Sequence, residues 1–105
     1  MILKYDFDID NQAVLVNLRR LTNQTFKLLP IREEGADWEK PLVTILEELS
    51  GLDRLLIEDH ESLCSLICKL EGLFSLTQEN DFMTYRGVIF ECLNLFSELS
   101  KICQD

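Results

Sequence analysis

The longest regular pattern of apolar residues lies near the C-terminus, over residues 81–103. Apolar side chains recur there at intervals of three and four, which places them on one face of a helix. They are Phe82, Tyr85, Ile89, Cys92, Phe96, Leu99 and Cys103, and Val88, Leu93, Leu95 and Ile102 widen this face. A helix with so broad an apolar face must be covered on more than one side. The pattern therefore predicts a long helix around which the rest of the chain packs.

Three upstream segments repeat this spacing, so we predict helices near residues 11–29, 38–50 and 60–74 in addition to 81–103. Their apolar faces consist of Val14, Leu15, Leu18, Leu21, Thr22, Phe26 and Leu29 in the first, Trp38, Leu42, Ile45, Leu46 and Leu49 in the second, and Leu63, Leu66, Ile67, Leu70, Leu73 and Phe74 in the third. Short connections make consecutive helices antiparallel neighbours. The prediction is an all-α, four-helix bundle-like single domain over residues 1–105.

Capping and turn residues mark the ends of these helices. Pro30 should end the first helix, because it lacks a backbone N–H and disfavours helical geometry in the residue before it. Asp37 and Asp81 should cap the second and fourth helices by accepting hydrogen bonds from the free N–H groups of the first turn. Gly51 is a stop signal for the second helix, but apolar spacing at residues 52–56 leaves a longer helix open.

Residues 1–9 follow a different period. Polar and apolar side chains alternate there as in a strand, with Leu3, Tyr5, Phe7 and Ile9 on the apolar side. The chain contains no second strand pattern with which this segment could pair. We therefore predict a short extended N-terminal arm that either lies on the helices or pairs with its copy in a dimer.

The composition is that of a folded protein. Hydrophobic residues make up 47% of the 105 residues and charged residues 28%, which argues against disorder. Charged residues begin at Lys4, and the sequence contains neither a signal-peptide apolar region nor a run of about 20 apolar residues that would span a membrane. We expect a soluble cytoplasmic protein. Its four cysteines lie in helical apolar patterns, where cysteine acts as a small buried side chain in a reducing compartment.

The net charge is −9 and is unevenly distributed. Residues 1–35 hold five basic and five acidic residues, so residues 36–105 carry the whole excess of negative charge. This distribution disfavours direct binding to nucleic acid or to an anionic membrane, since attraction to phosphates requires a surface of lysine and arginine. It favours a basic protein partner, including a protein with a groove for nucleic acid.

A metal site is one interpretation of His60, Cys64 and Cys68, which are spaced four residues apart and point the same way from the third helix. Thiolates and an imidazole suit Zn²⁺, and Cys92 or Cys103 could supply a fourth ligand. Structural zinc sites, however, usually have short knuckles in loops. We favour buried structural cysteines and expect no metal and no cofactor.

The spacing Asp6-x-Asp8-x-Asp10 is that of the start of a calcium loop, but Asn11 and Asn17 stand where such a loop needs glycine and glutamate. For catalysis the chain offers a single histidine, no Gly-x-Ser-x-Gly and no glycine-rich phosphate loop. His60 lies only one turn from Cys64 on the same helix, which is a poor geometry for an activated nucleophile. We therefore expect that the protein is not an enzyme.

The only concentration of basic residues is Arg19, Arg20 and Lys27, with Arg32 following. A solvated helix face explains it. The functional interpretation is a patch that binds an anionic ligand or the acidic half of a second copy.

Residues of the fourth helix suggest self-association. Gly87 is unfavourable by roughly 1 kcal/mol in a helix interior, so we expect another backbone to approach it, from an internal helix or a symmetry mate. Phe90 and Leu95 lie away from the seam formed by the other apolar residues. A homodimer through this face, with Tyr5 and Phe7 of the arm contributing, would bury them.

Residues 32–41 (REEGADWEKP), 69–74 (KLEGLF) and 89–93 (IFECL) resemble segments of short helical proteins of unknown function from bacteria, phages and mobile elements. The resemblance carries no functional motif. It implies a small binding protein, including inhibitors that neutralise host machinery.

The sequence thus predicts a non-enzymatic protein-interaction module that presents acidic helix faces to a basic partner. The first alternative is a helical protein that binds or sequesters a small anion or nucleotide. The second is a nucleic-acid mimic, since carboxylates on rigid helices can be spaced like phosphates.

Overall fold

The structure is a computed structural model that describes residues 11–53 and 60–104, with side chains over 14–52 and 61–101. It confirms the all-α prediction. The helices are α1 (Asn11–Glu33), α2 (Glu39–Asp53), α3 (His60–Gly72) and α4 (Phe82–Gln104), with 3₁₀ turns at Leu73–Ser75 and Glu79–Asp81. Within the described ranges there is no strand. The predicted arm, residues 1–9 with Tyr5 and Phe7, lies outside them.

The four helices form an antiparallel ring. Each helix packs against the next along the chain, and α4 packs back against α1 in the most extensive of these pairings. Surface ion pairs join antiparallel neighbours: Arg20 on α1 contacts Glu48 on α2 at 2.8 Å, and Lys69 on α3 contacts Glu91 on α4 at 2.9 Å. The bundle measures 46 × 20 × 20 Å. Because consecutive helices are antiparallel, the α1–α2 and α3–α4 connections lie at the same end of the bundle.

The core runs along the middle of the ring. Among the residues whose side chains are described, it consists of Val14, Leu15, Leu18, Leu21, Thr25, Leu28, Leu29, Trp38, Leu42, Ile45, Leu49, Leu63, Leu66, Leu70, Leu73, Tyr85, Ile89, Cys92, Phe96 and Leu99. Nearly all of these were predicted from the spacing, but the prediction for Phe26 is wrong, because its side chain is 50% exposed. Thr25 and Leu28 are buried instead, continuing the alternating steps of three and four along α1. The Thr25 hydroxyl donates to the Leu21 carbonyl at 2.8 Å, so its burial leaves no unpaired donor.

The prediction that Pro30 ends α1 is also wrong, because the helix continues to Glu33. Pro30 is exposed, and its own carbonyl accepts the N–H of Glu34 at 3.0 Å. A proline removes one helical hydrogen bond. In the last turn of α1, hydrogen bonds from Arg32 to the carbonyls of Leu76 and Gln78 act against this loss. Gly35, with φ 75°, then ends the helix in the left-handed conformation that favours glycine.

The other helix ends agree only in part with the predictions. Asp37 caps α2 as predicted, since its Oδ1 accepts the N–H groups of Glu39 at 3.0 Å and Lys40 at 3.3 Å. The helix continues through Gly51 to Asp53. Asp81 does not cap α4. It lies in the preceding 3₁₀ turn, where its carboxylate accepts the N–H of Gln78 at 3.2 Å, and this turn runs directly into α4.

None of the helices within residues 11–53 and 60–104 combines the length and the apolar character that crossing a membrane requires.

Candidate functional site

The end of the bundle that carries the α1–α2 and α3–α4 connections is strongly acidic. We call residues 32–40 and 76–82 the acidic end. It contains Glu33, Glu34, Asp37, Glu39, Glu79 and Asp81 against Arg32 and Lys40, six acidic and two basic residues that leave a net charge of −4. All of the glutamates and Asp37 are solvent-exposed. Nearly half of the chain's excess of negative charge therefore lies on two neighbouring connections.

Arg32 holds the two connections together. Its guanidinium donates from Nη1 to the carbonyl of Leu76 and from Nη2 to the carbonyl of Gln78 at 2.8 Å. These bonds join the last turn of α1 to the connection before α4. Charged donors make strong hydrogen bonds, and a planar guanidinium can satisfy two carbonyls at once. Arg32 thus ties the α3–α4 connection to α1, in addition to the packing of Phe74 and Leu76 against the core.

Aromatic rings surround the same guanidinium. Its central carbon lies 4.3 Å from the centre of the Tyr85 ring, 5.4 Å from that of Trp38 and 5.9 Å from that of Phe82. The rings also pack on one another, with centres 5.1 Å apart for Trp38 and Tyr85 in an edge-on contact and 6.4 Å apart for Phe82 and Tyr85. Such separations are favourable both for ring pairs and for a cation over a ring.

Tyr85 is completely buried, and among the described residues its hydroxyl has no hydrogen-bond partner. Burial raises the pKa of the Tyr85 phenol to about 12, because the phenolate would lose its hydration, and the nearby Arg32 charge opposes this rise only in part. The phenol is therefore neutral at physiological pH.

A cleft of about 420 Å³ lies between the two connections. Its lining includes Arg32, Glu33, Trp38, Thr77, Glu79 and Phe82. Aromatic and acidic groups thus meet in one concave site. The sequence patterns did not reveal this site, although the positions of Trp38 and Phe82 next to the two connections were a signal that could have indicated it.

Arg32, Arg20, Arg19 and Lys27 were the predicted anion-binding residues, and the structure does not bring them together. Arg32 is engaged as described, and Arg20 pairs with Glu48. Arg19 borders a groove between α1 and α4, whereas Lys27 borders another between α1 and α2. The basic residues are therefore spread around α1 instead of forming one patch.

The outer face of α4 carries the predicted contact residues Gly87 and Phe90. Phe90 is 39% exposed with the Arg86 guanidinium 4.8 Å from its ring centre, and Met83 on the same side is 70% exposed. Among the described residues, a Cβ atom added at Gly87 would meet no atom of another helix within 4 Å, so the internal-helix alternative is wrong, and the approach of a symmetry mate stays a prediction. Leu95 is half-buried against the core, and its substitution would disturb the fold as well as a contact surface.

Cys64 and Cys68 are exposed, contrary to the expectation of buried cysteines, because α3 turns this side to solvent and buries Leu63, Leu66 and Leu70. Cys92 is buried in the core, where loss of hydration raises the pKa of its thiol to about 12. In the described part of the chain no three His, Cys, Asp or Glu side chains are grouped so that they could hold a metal.

Two further sets of candidates lie outside the side chains that the structure describes. His60 and Cys103 lie in α3 and α4 but beyond the ranges 14–52 and 61–101, and Asp6, Asp8 and Asp10 precede residue 11. The zinc and calcium interpretations therefore gain no geometry from these residues.

Comparisons with known protein families, with curated proteins and with solved structures find no match for this chain.

Proposed function

We propose that this chain is a non-enzymatic protein-interaction module whose acidic helix faces, and above all its acidic end, bind a basic protein partner. The observation that carries the proposal is the concentration of exposed carboxylates on two connections that Arg32 fixes in place. Charge of one sign on a fixed surface steers a partner of opposite sign and selects against partners of like sign.

The arrangement of the basic residues gives less support to the small-anion alternative. An anion would require convergent donors, whereas two Arg32 donors are used by backbone carbonyls and Arg20 is paired with Glu48. Glu33 and Glu79 border the cleft in which Arg32 lies, and their negative charge opposes an entering anion.

The proposal includes a cytoplasmic location and, from the resemblance noted above, a role as an inhibitor or adaptor encoded by a phage or mobile element.

The proposal also includes a homodimer. Met83 and Phe90 form an exposed apolar stripe on α4, and the open position at Gly87 between them would let a second helix approach closely. Apolar patches of this kind on soluble proteins often mark contact surfaces.

The test of the main proposal is affinity purification from the organism that encodes the chain, with two matched triple variants. The first carries Glu33→Gln, Glu34→Gln and Glu79→Gln at the acidic end. The second carries Glu47→Gln, Glu61→Gln and Glu98→Gln, which removes three exposed charges elsewhere.

We expect the wild type and the second variant to retain the same basic protein at about 50 mM salt and to release it near 500 mM, because salt screens exposed charges. The acidic-end variant should not retain it. Equal retention by both variants would contradict the proposal, as would a partner that is itself acidic.

A further inference from the structure

We infer that the cleft at the acidic end is a receptor for one arginine side chain of the basic partner, with the guanidinium against Phe82 and its charge near Glu33 and Glu79. The inference rests on the proposed function and specifies how the partner is recognised.

The cleft has a suitable size and lining. Its volume of about 420 Å³ is at the lower end of the range for ligand pockets and leaves room for a single side chain. Phe82, which is half-buried, supplies aromatic surface to the cleft, whereas Trp38 is only 9% exposed and forms part of its wall. Both rings lie within 6 Å of the guanidinium of Arg32, at 5.4 and 5.9 Å, and Trp38 also stacks on Phe74 with ring centres 6.3 Å apart, so the ring left to a second cation is Phe82.

The charge around the cleft favours a cation over an anion. Arg32 lines the cleft, and its positive charge opposes a second guanidinium. Two of its donors bond neutral carbonyls, which leaves that charge in place. The six acidic residues of the acidic end outweigh it, and two of them, Glu33 and Glu79, border the cleft directly. An entering arginine would therefore meet a net negative surrounding.

The walls of the cleft are also preformed. On one side the α1–α2 connection is closed by hydrogen bonds from the N–H of Gly35 to the Arg32 carbonyl at 3.0 Å and from the N–H of Ala36 to the Ile31 carbonyl at 3.1 Å. On the other side Gln78 and Asp81 bond reciprocally. A site that is already ordered does not lose binding free energy to the ordering of its loops.

We favour arginine over lysine because a guanidinium is planar, stacks on rings and is more weakly hydrated than an ammonium. Entry into an aromatic cleft removes part of the hydration of either cation. The cost of this lost hydration is smaller for arginine.

The chain offers a direct probe of this cleft, since Trp38 is its only tryptophan. The experiment titrates the full chain with the pentapeptide acetyl-Gly-Gly-Arg-Gly-Gly-amide and records Trp38 fluorescence, together with the NMR signals of the Trp38 indole N–H and the Gly35 amide. Two further peptides carry citrulline, which has the shape of arginine without its charge, or lysine. Two variants, Glu33→Gln with Glu79→Gln and, as the matched control, Glu47→Gln with Glu98→Gln, are titrated in parallel.

We expect saturable changes with the arginine peptide at millimolar concentrations, weaker binding of the lysine peptide and no saturation with citrulline. The cleft variant should bind the arginine peptide about fivefold more weakly, in keeping with the modest value of exposed charge pairs, while the control variant stays within about twofold of the wild type. Equal binding of arginine and citrulline, or of arginine and lysine, would overturn the inference, as would unchanged NMR and fluorescence signals or an equal loss in both variants. If these signals stay unchanged but the salt-sensitive partner is still retained, the cleft is excluded and the proposed function stands.

Discussion

The guanidinium carbon of Arg32 lies 4.3 Å from the centre of the Tyr85 ring, while its two terminal nitrogens donate to the carbonyls of Leu76 and Gln78. One side chain at the end of α1 thereby contacts the start of α4 and the connection that precedes it. These contacts link the end of α1, beyond Pro30, to the connection that forms part of the acidic end.

Replacing Arg32 should therefore destabilise the bundle. In Arg32→Ala the two carbonyls and the aromatic rings lose their cation, and we expect a loss of about 2–3 kcal/mol in the free energy of unfolding. Arg32→Lys keeps a charge but not the planar fork, and its loss should be intermediate. Urea denaturation followed by circular dichroism measures both.

Arg19→Ala is the matched control, because Arg19 is an exposed arginine on the same helix. Its effect should stay within about 0.5 kcal/mol. Equal effects of Arg19→Ala and Arg32→Ala would contradict the organising role of Arg32.

Removal of the buried Tyr85 hydroxyl, unlike replacement of Arg32, should not lower the free energy of unfolding. Since this hydroxyl has no partner among the described residues, Tyr85→Phe should leave stability unchanged or raise it by about 1 kcal/mol. Tyr85→Ala, in contrast, removes the whole ring from the core and should cost about 3 kcal/mol or more. Thermal and urea denaturation of both variants provide the test, and a clear destabilisation by Tyr85→Phe would show that the hydroxyl is bonded.

The cysteines should differ in reactivity. Cys64 and Cys68 are exposed, whereas Cys92 is buried and its pKa is raised to about 12, so at pH 8 almost none of it is the reactive thiolate. Iodoacetamide should modify Cys64 and Cys68 in the native chain and Cys92 only after unfolding. Peptide mass spectrometry over time distinguishes the sites, and native modification of Cys92 at the rate of Cys64 would contradict its placement in the core.

Self-association should depend on the outer face of α4. Light scattering at about 10–100 µM, a range set by the weak affinity expected of a small apolar contact, should give twice the 12.2 kDa chain mass for the wild type. Phe90→Glu should give the mass of one chain, because it places a charge in the apolar stripe. Val43→Glu changes an exposed apolar residue of similar exposure on α2 and should leave the dimer intact. A wild-type mass of 12.2 kDa would exclude the dimer.

The helices could be predicted because their burial repeats locally: Leu18, Leu42 and Leu66 each belong to a three-and-four spacing that is visible within a few turns. Phe26 shows the limit of this approach. Hydrophobicity ranks phenylalanine above threonine, yet one residue rotates a helix by 100°, and the side of α1 that faces the interior of the bundle carries Thr25 and not Phe26.

The environment of Arg32 could not be predicted in this way. Its partners Leu76 and Gln78 are 44 and 46 residues away in the chain and come into reach only when α4 packs against α1. The cleft is lined by residues of both connections, so it depends on the same long-range packing. Local helix propensity therefore predicts neither the contacts of Arg32 nor the cleft.

The central claim is that the acidic end is the surface at which this chain binds a basic protein. Photo-cross-linking in the organism that encodes the chain tests it most directly, with a photoreactive amino acid in place of exposed Ala36 at the acidic end or of exposed Ser65 on α3. The account predicts an adduct with a basic protein from position 36, absent from position 65 and lost when Glu33, Glu34 and Glu79 are changed to glutamine. The same adduct from both positions, or none from position 36, would contradict it.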